Sequence, residues 1–227
     1  MLRAIIFDFD GTIIDTEGPV FHGWAKTFSD MGCELSLQDY SRCIADDRKR
    51  EILRAMLEER VRGPGRAVHW ERLDRERGQF YRPLVERQPI LAGVMELLLA
   101  SREAGVRAAV CSNSPREWVA GHLERLNIAH LFDTIVCRED APEAKPHPDL
   151  YHETLRRLDV EARHAVAIED SPNGTKGARA AGIFCVTVPN PCTAQLTFEE
   201  LDLRIDSLSG VSCDHLHLHL SKRNGDF

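Results

Sequence analysis

MLRAIIFDFDGTIIDTE (residues 1–17) runs an apolar stretch, Leu2 to Phe7, into two aspartates that bracket an aromatic, Asp8-Phe9-Asp10, with Gly11 and Thr12 next. The stretch has the character of a parallel strand buried on both faces, and Asp8 falls at its carboxyl end. The polar residues that follow are either an ordinary Asx turn closing a strand or two carboxylates delivered to a reaction. What else lies along the chain separates those readings.

Further runs of strand character occur at Val106 to Val110, Thr134 to Val136, Ala165 to Ile168 and Ile183 to Val188, each separated by helical spacing of apolar residues. Strand alternating with helix predicts an α/β fold with a doubly wound, Rossmann-like parallel sheet. The gap between the first two strands is far longer than one crossover helix requires. Within it Val20, Phe21, Trp24, Ala25, Phe28 and Met31 recur at helical spacing, with Gly32 as a stop. Ser36 with Asp39 resembles an N-terminal cap, Asp46 to Arg62 reads as a helix, RGPGR (62–66) as a turn, and His69 to Val85 as another helix. The expected organisation is a core of residues 1–15 plus 89–208, an inserted all-helical cap at 16–88, and a C-terminal tail at 209–227. Thr193 to Leu203 is expected as a helix, Ile205 to Leu208 as a final edge strand, and Cys213 to Phe227 as a loose segment.

Composition limits the partners. The 227 residues carry 29 basic and 36 acidic side chains, a net charge of −7, which gives no general attraction to nucleic acid or to anionic membranes. The region 16–88 holds 14 basic and 13 acidic residues against 15 and 23 in the remainder, so an anionic substrate is less repelled by the insert. Seven cysteines without a C-x-x-C pair read as reduced core residues and point to the cytoplasm. The N-terminal apolar stretch is too short for a signal segment, and no run approaches the roughly 18–20 residues of a membrane span.

In open α/β sheets the ligand sits beyond the carboxyl ends of the strands. Four such ends carry reactive side chains: Asp8 and Asp10; Ser112-Asn113-Ser114; Lys145 in EAKPHP (143–148); and Glu169-Asp170 in EDSPNG (169–174). Each alone has an ordinary explanation as a turn, a cap or a surface lysine. Their occurrence in order, at strand ends expected to converge, favours chemistry.

These motifs resemble the haloacid dehalogenase superfamily, in the helical-cap branch that includes phosphoglycolate phosphatases, β-phosphoglucomutases and CbbY-like proteins. The resemblance covers roughly residues 1–208, and all four family motifs match. It implies a phosphatase acting on a small phosphorylated metabolite, a sugar phosphate or a phosphoglycolate-like acid, as a monomer or small homo-oligomer. It also implies Mg2+ held by Asp8, Asp10, Asp170 and, as a ligand or just behind the ligands, Glu169. Asp8 is then the nucleophile that becomes an aspartyl phosphate, Asp10 the acid and base, Lys145 a fixed positive charge, and Ser112 with the Asn113 backbone N–H a cradle for phosphoryl oxygens. Physics supports the mixture of charges. A carboxylate approaching a phosphate dianion is repelled by about 4 kcal/mol per charge pair near 4 Å at an effective dielectric of 20, so attack requires cations.

Asp10 distinguishes phosphoryl transfer from dehalogenation, which has no need of a second carboxylate. A phosphonatase would carry a Schiff-base lysine in its cap, where Lys26 and Lys49 are the lysines present. Arg48, Lys49 and Arg50 either meet a second anionic group of the substrate or form a solvated helix face; Trp24 and Phe28 read as core and His147 as structural. The resemblance to β-phosphoglucomutases ends at their cap histidine. Alignment on Trp24 puts Val20 there, with His22 about 200° further round a helix. His215, His217 and His219 alternate with leucines and are read as part of the tail rather than as a metal site.

Overall fold

The computed structural model describes residues 1–44, 48–61 and 68–225. The opening stretch forms β1 (Ala4–Phe7), each residue of it buried. Its partners are β2 (Arg107–Cys111) on one side and β4 (Ala165–Glu169) on the other, both parallel to it. With β3 (Thr134–Val136), β5 (Phe184–Thr187) and β6 (Leu203–Arg204) the sheet runs in the order β3-β2-β1-β4-β5-β6, parallel throughout. The chain builds outward from β1 through β2 to β3, then returns to β1's other side. That reversal opens a crevice at the carboxyl ends of β1 and β4.

Pleating sends alternate residues to opposite faces. Ala4 and Ile6 pack with Ala109, Cys111, Ala165, Ala167 and Cys185 against Leu150, Tyr151 and Leu155 of α7 (Asp149–Leu158) and Ala178 of α8 (Pro172–Ala180). On the other face Phe7 meets Phe132 edge to ring. Burial of a large apolar side chain stabilises by about 1.5–3 kcal/mol, so this sandwich pins the strand ends that carry the polar residues. The crossovers are completed by α5 (Val94–Glu103) and α6 (Arg116–Arg125).

The chain folds as two units. One comprises 1–14, 89–190 and 197–227; the other comprises 15–88 together with 191–196. The second is helical: α1 (Glu17–Asp30), α2 (Leu37–Ile44), α3 (Lys49–Arg60) and α4 (Trp70–Glu86). Trp24 and Phe28 are buried in its core beside Leu53, Leu57 and Leu73, and Cys192 joins them. Gly32 follows α1 at φ +77, and Ser36 Oγ accepts the Asp39 N–H at the start of α2. The expected residues 46 and 47 of the third helix and the RGPGR turn lie outside the described residues.

The last part of the chain departs from expectation. Residues 193–202 are turns and bends, and Asp202 is tied to the β5 backbone, accepting the Cys185 N–H at 3.0 Å, which holds this segment against the sheet edge instead of in a helix. The edge strand is Leu203–Arg204 rather than 205–208. The segment expected to be loose is α9 (Cys213–Asn224): the Ser212 hydroxyl caps it, Gly225 ends it at φ +72, and Leu216 and Leu220, four apart, are buried. HLHLHL carries both the two-residue and the four-residue spacing, and burial selected the latter. His217 Nδ1 accepts the Leu2 N–H, and His219 stacks on Phe184.

Candidate active site

Three carboxylates and one ammonium gather at the crevice between β1 and β4. Asp8 follows β1, Glu169 ends β4, Asp170 is the next residue, and Lys145 reaches in from the loop before α7. Lys145 Nζ donates to Asp8 Oδ1 at 2.7 Å, to Glu169 Oε1 at 2.6 Å and to the Cys111 carbonyl at 2.6 Å. The Tyr151 hydroxyl on α7 donates to the same Glu169 oxygen. Ligand-capable oxygens of Asp8, Glu169 and Asp170 lie within 4.8 Å of one another.

Two glycines make the approach possible. Gly11 sits at φ +85, and a Cβ there would fall 2.5 Å from Asp170 Oδ2. At Gly174 a Cβ would collide with the Glu169 carboxylate, so only hydrogen leaves room for it. Ser171, whose Oγ accepts the Gly174 N–H at 3.1 Å, is the N-cap of α8 with Pro172 after it, which starts the helix directly behind the carboxylates.

Charge is out of balance here. Burial pushes the Asp8 carboxyl up to about 8 against the pull of Lys145, and the neighbouring Glu169 and Asp10 carboxylates push the same way. Burial alone would lower the Lys145 ammonium, yet Asp8 and Glu169 together hold it well above the ordinary lysine range. One ammonium is thus shared among more carboxylates than it can offset, in a site where Asp8, Lys145, Glu169 and Asp170 are 7%, 3%, 0% and 3% exposed. The donor set is hard oxygen throughout, which suits Mg2+ and fits neither thiolate nor imidazole chemistry.

Asp10 is turned to β2's end. Its Oδ2 accepts from Ser114 Oγ at 2.6 Å and from Ser112 Oγ at 3.5 Å, and its Oδ1 accepts from Trp118 Nε1 at 3.0 Å. The Asn113 side chain fixes the Lys145 loop: its Oδ1 accepts the Lys145 N–H at 2.8 Å and its Nδ2 donates to the Lys145 carbonyl at 3.1 Å. All seven of these candidate residues therefore belong to the sheet unit, six at neighbouring strand ends and Lys145 in the loop before α7. Ser114 was named with its strand end but given no role, and Trp118, Tyr151 and Asn190, whose Nδ2 donates to Asp170 Oδ2 at 2.6 Å, were not singled out. Asn190 lies past the carboxyl end of β5, and inspecting that fifth strand end would have found it. Trp118 and Tyr151 are helix residues that periodicity marks only as apolar.

The sequence profile of the haloacid dehalogenase-like hydrolases matches residues 5–188. The chain belongs to the haloacid dehalogenase-like hydrolase family. This hydrolase is 34% identical to the putative phosphatase YhcW of Bacillus subtilis (strain 168) over 99% of its own length and 100% of that protein. It is 28% identical to the phosphorylated carbohydrates phosphatase of Thermotoga maritima, covering 80% of this chain and 82% of that one. A crystal structure of mutant CbbY from Rhodobacter sphaeroides in complex with xylulose-(1,5)bisphosphate superposes with a TM-score of 0.72 at 26% identity, covering 95% and 99% of the two chains. The hydrolase is a phosphoric monoester hydrolase of that family.

The helical unit of the hydrolase holds the basic run. Lys49 Nζ donates to both Glu17 oxygens, at 3.1 and 3.0 Å, and the Tyr40 hydroxyl donates to Glu17 at 2.7 Å. Arg50 pairs with Asp74, which also takes Arg54 and Arg77. Lys49 and Arg50 line a cavity of about 420 Å³ with Arg75, Arg77 and Arg82. His22 is exposed and Val20 half-buried. Lys26 is paired with Asp30 on the same helix. Among the described residues, no helix of the hydrolase is long and apolar enough to cross a membrane, and its seven cysteines are free thiols.

Proposed function

We propose that this protein is a magnesium-dependent cytoplasmic phosphatase of a small phosphorylated metabolite, of the sugar phosphate or phosphoglycolate class, working through a phosphoryl group carried on Asp8. The observation that carries the reading is the buried Lys145 ammonium bridging Asp8 and Glu169, 2.7 and 2.6 Å away, beside Asp170. Relatives named for sugar-phosphate substrates support the substrate class.

In this reading an Asp8 oxygen attacks phosphorus as the ester P–O bond breaks, and Asp10 gives its proton to the leaving alkoxide. Water then attacks the phosphoryl group, Asp10 recovers a proton from it, and inorganic phosphate leaves with Asp8 restored. Asp8, Asp170, the Asp10 carbonyl and, directly or through its neighbours, Glu169 would hold the metal, which supplies positive charge on phosphoryl oxygens. Lys145 supplies a further fixed charge and holds Asp8 in place. Ser112 and the Asn113 N–H, near the N-terminus of α6, receive phosphoryl oxygens. In this reading the helical unit is the family's cap.

Two measurements test the proposal. A panel of phosphorylated metabolites, assayed for inorganic phosphate with purified protein and Asp8→Asn, should show hydrolysis that the variant loses by about a thousandfold or more. A variant keeping above about a tenth of the rate removes Asp8 as nucleophile. Phosphorus NMR of β-glucose 1-phosphate primed with the bisphosphate should show inorganic phosphate growing in. Isomerisation about ten times faster than phosphate release would instead assign a phosphomutase, the reading that the absence of a histidine at Val20 disfavours.

A further inference from the structure

We infer that Asn190 is a positioning residue that presents Asp170 to the divalent cation, an inference that rests on the metal-dependent reading above. Asp170 is 3% exposed, so its charge is nearly cut off from water, and a buried carboxylate requires donors. Asn190 Nδ2 supplies one to Oδ2 at 2.6 Å, a charge-assisted bond of the strong class. The amide cannot be replaced from the Gly11 side. A Cβ on Gly11 would lie 2.5 Å from Asp170 Oδ2 and 2.6 Å from Asn190 Nδ2, so the bonded pair fills the space above that glycine.

The three residues come from three neighbouring strand ends: Gly11 after β1, Asp170 after β4 and Asn190 after β5. The loop carrying Asn190 is itself tied down. Val188 N–H donates to the Glu169 carbonyl at 2.6 Å, immediately before Asp170 in the chain. Asp170 and Asn190 are therefore fixed to one another through backbone as well as side chain. A bond that holds one oxygen of a ligating carboxylate leaves the group a single orientation toward the cation, and loss of such outer partners typically weakens metal binding about 10- to 100-fold.

The test uses the full chain and Mg2+ alone, read as the rise of Tm with MgCl2 concentration, which yields Kd without turnover. Asn190→Ala and Asn190→Leu, the second keeping the branched outline but not the donor, should each weaken Mg2+ at least about tenfold. Their metal-free Tm should stay within about 2 °C of wild type. Asn190→Gln, which returns an amide on a longer stem, should recover part of the loss. In assays, kcat of Asn190→Ala should return toward wild type at saturating Mg2+, which a merely structural role would not produce. Kd within about twofold of wild type in both Ala and Leu variants overturns the role of Asn190 while the metal reading stands. No Mg2+ shift in the wild-type protein overturns both.

Discussion

The two units each gather charges around a node, and they do so differently. In the sheet unit Lys145 is 3% exposed and is held by Asp8, Glu169 and the Cys111 carbonyl, groups supplied by three adjacent strand ends. In the helical unit Asp74, 19% exposed, takes Arg50 from 57% exposure, Arg54 from 30% and Arg77 from 9%, all on helices. The first node has carboxylates in excess and the second has guanidiniums in excess. Strands fix the first by sheet register on both sides. Long side chains from helix faces form the second, where water screens much of the attraction. A charge's effect on function should therefore be large in the sheet unit and modest in the helical unit.

The strongest way to break that contrast is Lys145→Met, which keeps an unbranched side chain one atom shorter and removes its charge. It should lower kcat/KM by about 10²–10³-fold, the range seen on removing one preorganised stabiliser of transition-state charge. A loss below about tenfold would place Lys145 with the screened surface charges.

A second test uses pH. The Asp8 carboxyl stands near 8 because of burial, above its ordinary value near 4, so its proton must leave before a cation binds. Apparent Mg2+ affinity should fall by up to about tenfold per pH unit below 8. A raised carboxyl favours the fold when protonated, so the Asp8 contribution to metal-free stability is full below about pH 4 and is lost as pH rises through 8. With saturating Mg2+ that slope reverses. Tm measured from about pH 5 to 9 with and without Mg2+ checks both signs, and parallel curves would refute the account.

In the helical unit the corresponding test is Tyr40→Phe. Tyr40 is buried and its hydroxyl bonds Glu17, whose carboxyl Lys49 and Tyr40 together hold below its ordinary range against the effect of burial. Loss of one hydrogen bond to a charged group should cost about 1.5–3 kcal/mol in denaturant unfolding, with kcat near wild type. A large fall in kcat with unchanged stability would move this cluster into the active machinery. The smallest effect is expected from Lys26→Ala: its pair with Asp30 is about half exposed, and the change should be roughly 0.5 kcal/mol or less.

The β1 run with Asp8, the later strands and the four motif-bearing strand ends could be read from sequence, because apolar periodicity is local and parallel topology carries strand ends to one edge. The amphipathic helices of residues 17–86 were readable for the same reason. Asp10 favoured phosphoryl transfer over dehalogenation in the sequence, and the relatives named as phosphatases agree with the phosphatase class. It could not choose between helix and loose tail for residues 213–224, where the same leucines satisfy two periods and burial under the rest of the unit decided. Nor could it find Trp118 bonded to Asp10, Tyr151 bonded to Glu169, or Asn190 bonded to Asp170, pairs separated by 108, 18 and 20 residues. These pairings carry no periodic signature: an aromatic or an amide reads the same on a helix face or in a loop wherever its polar end points. Only the packing of neighbouring strands and helices brings each donor within bonding distance of a carboxylate that burial has stripped of water.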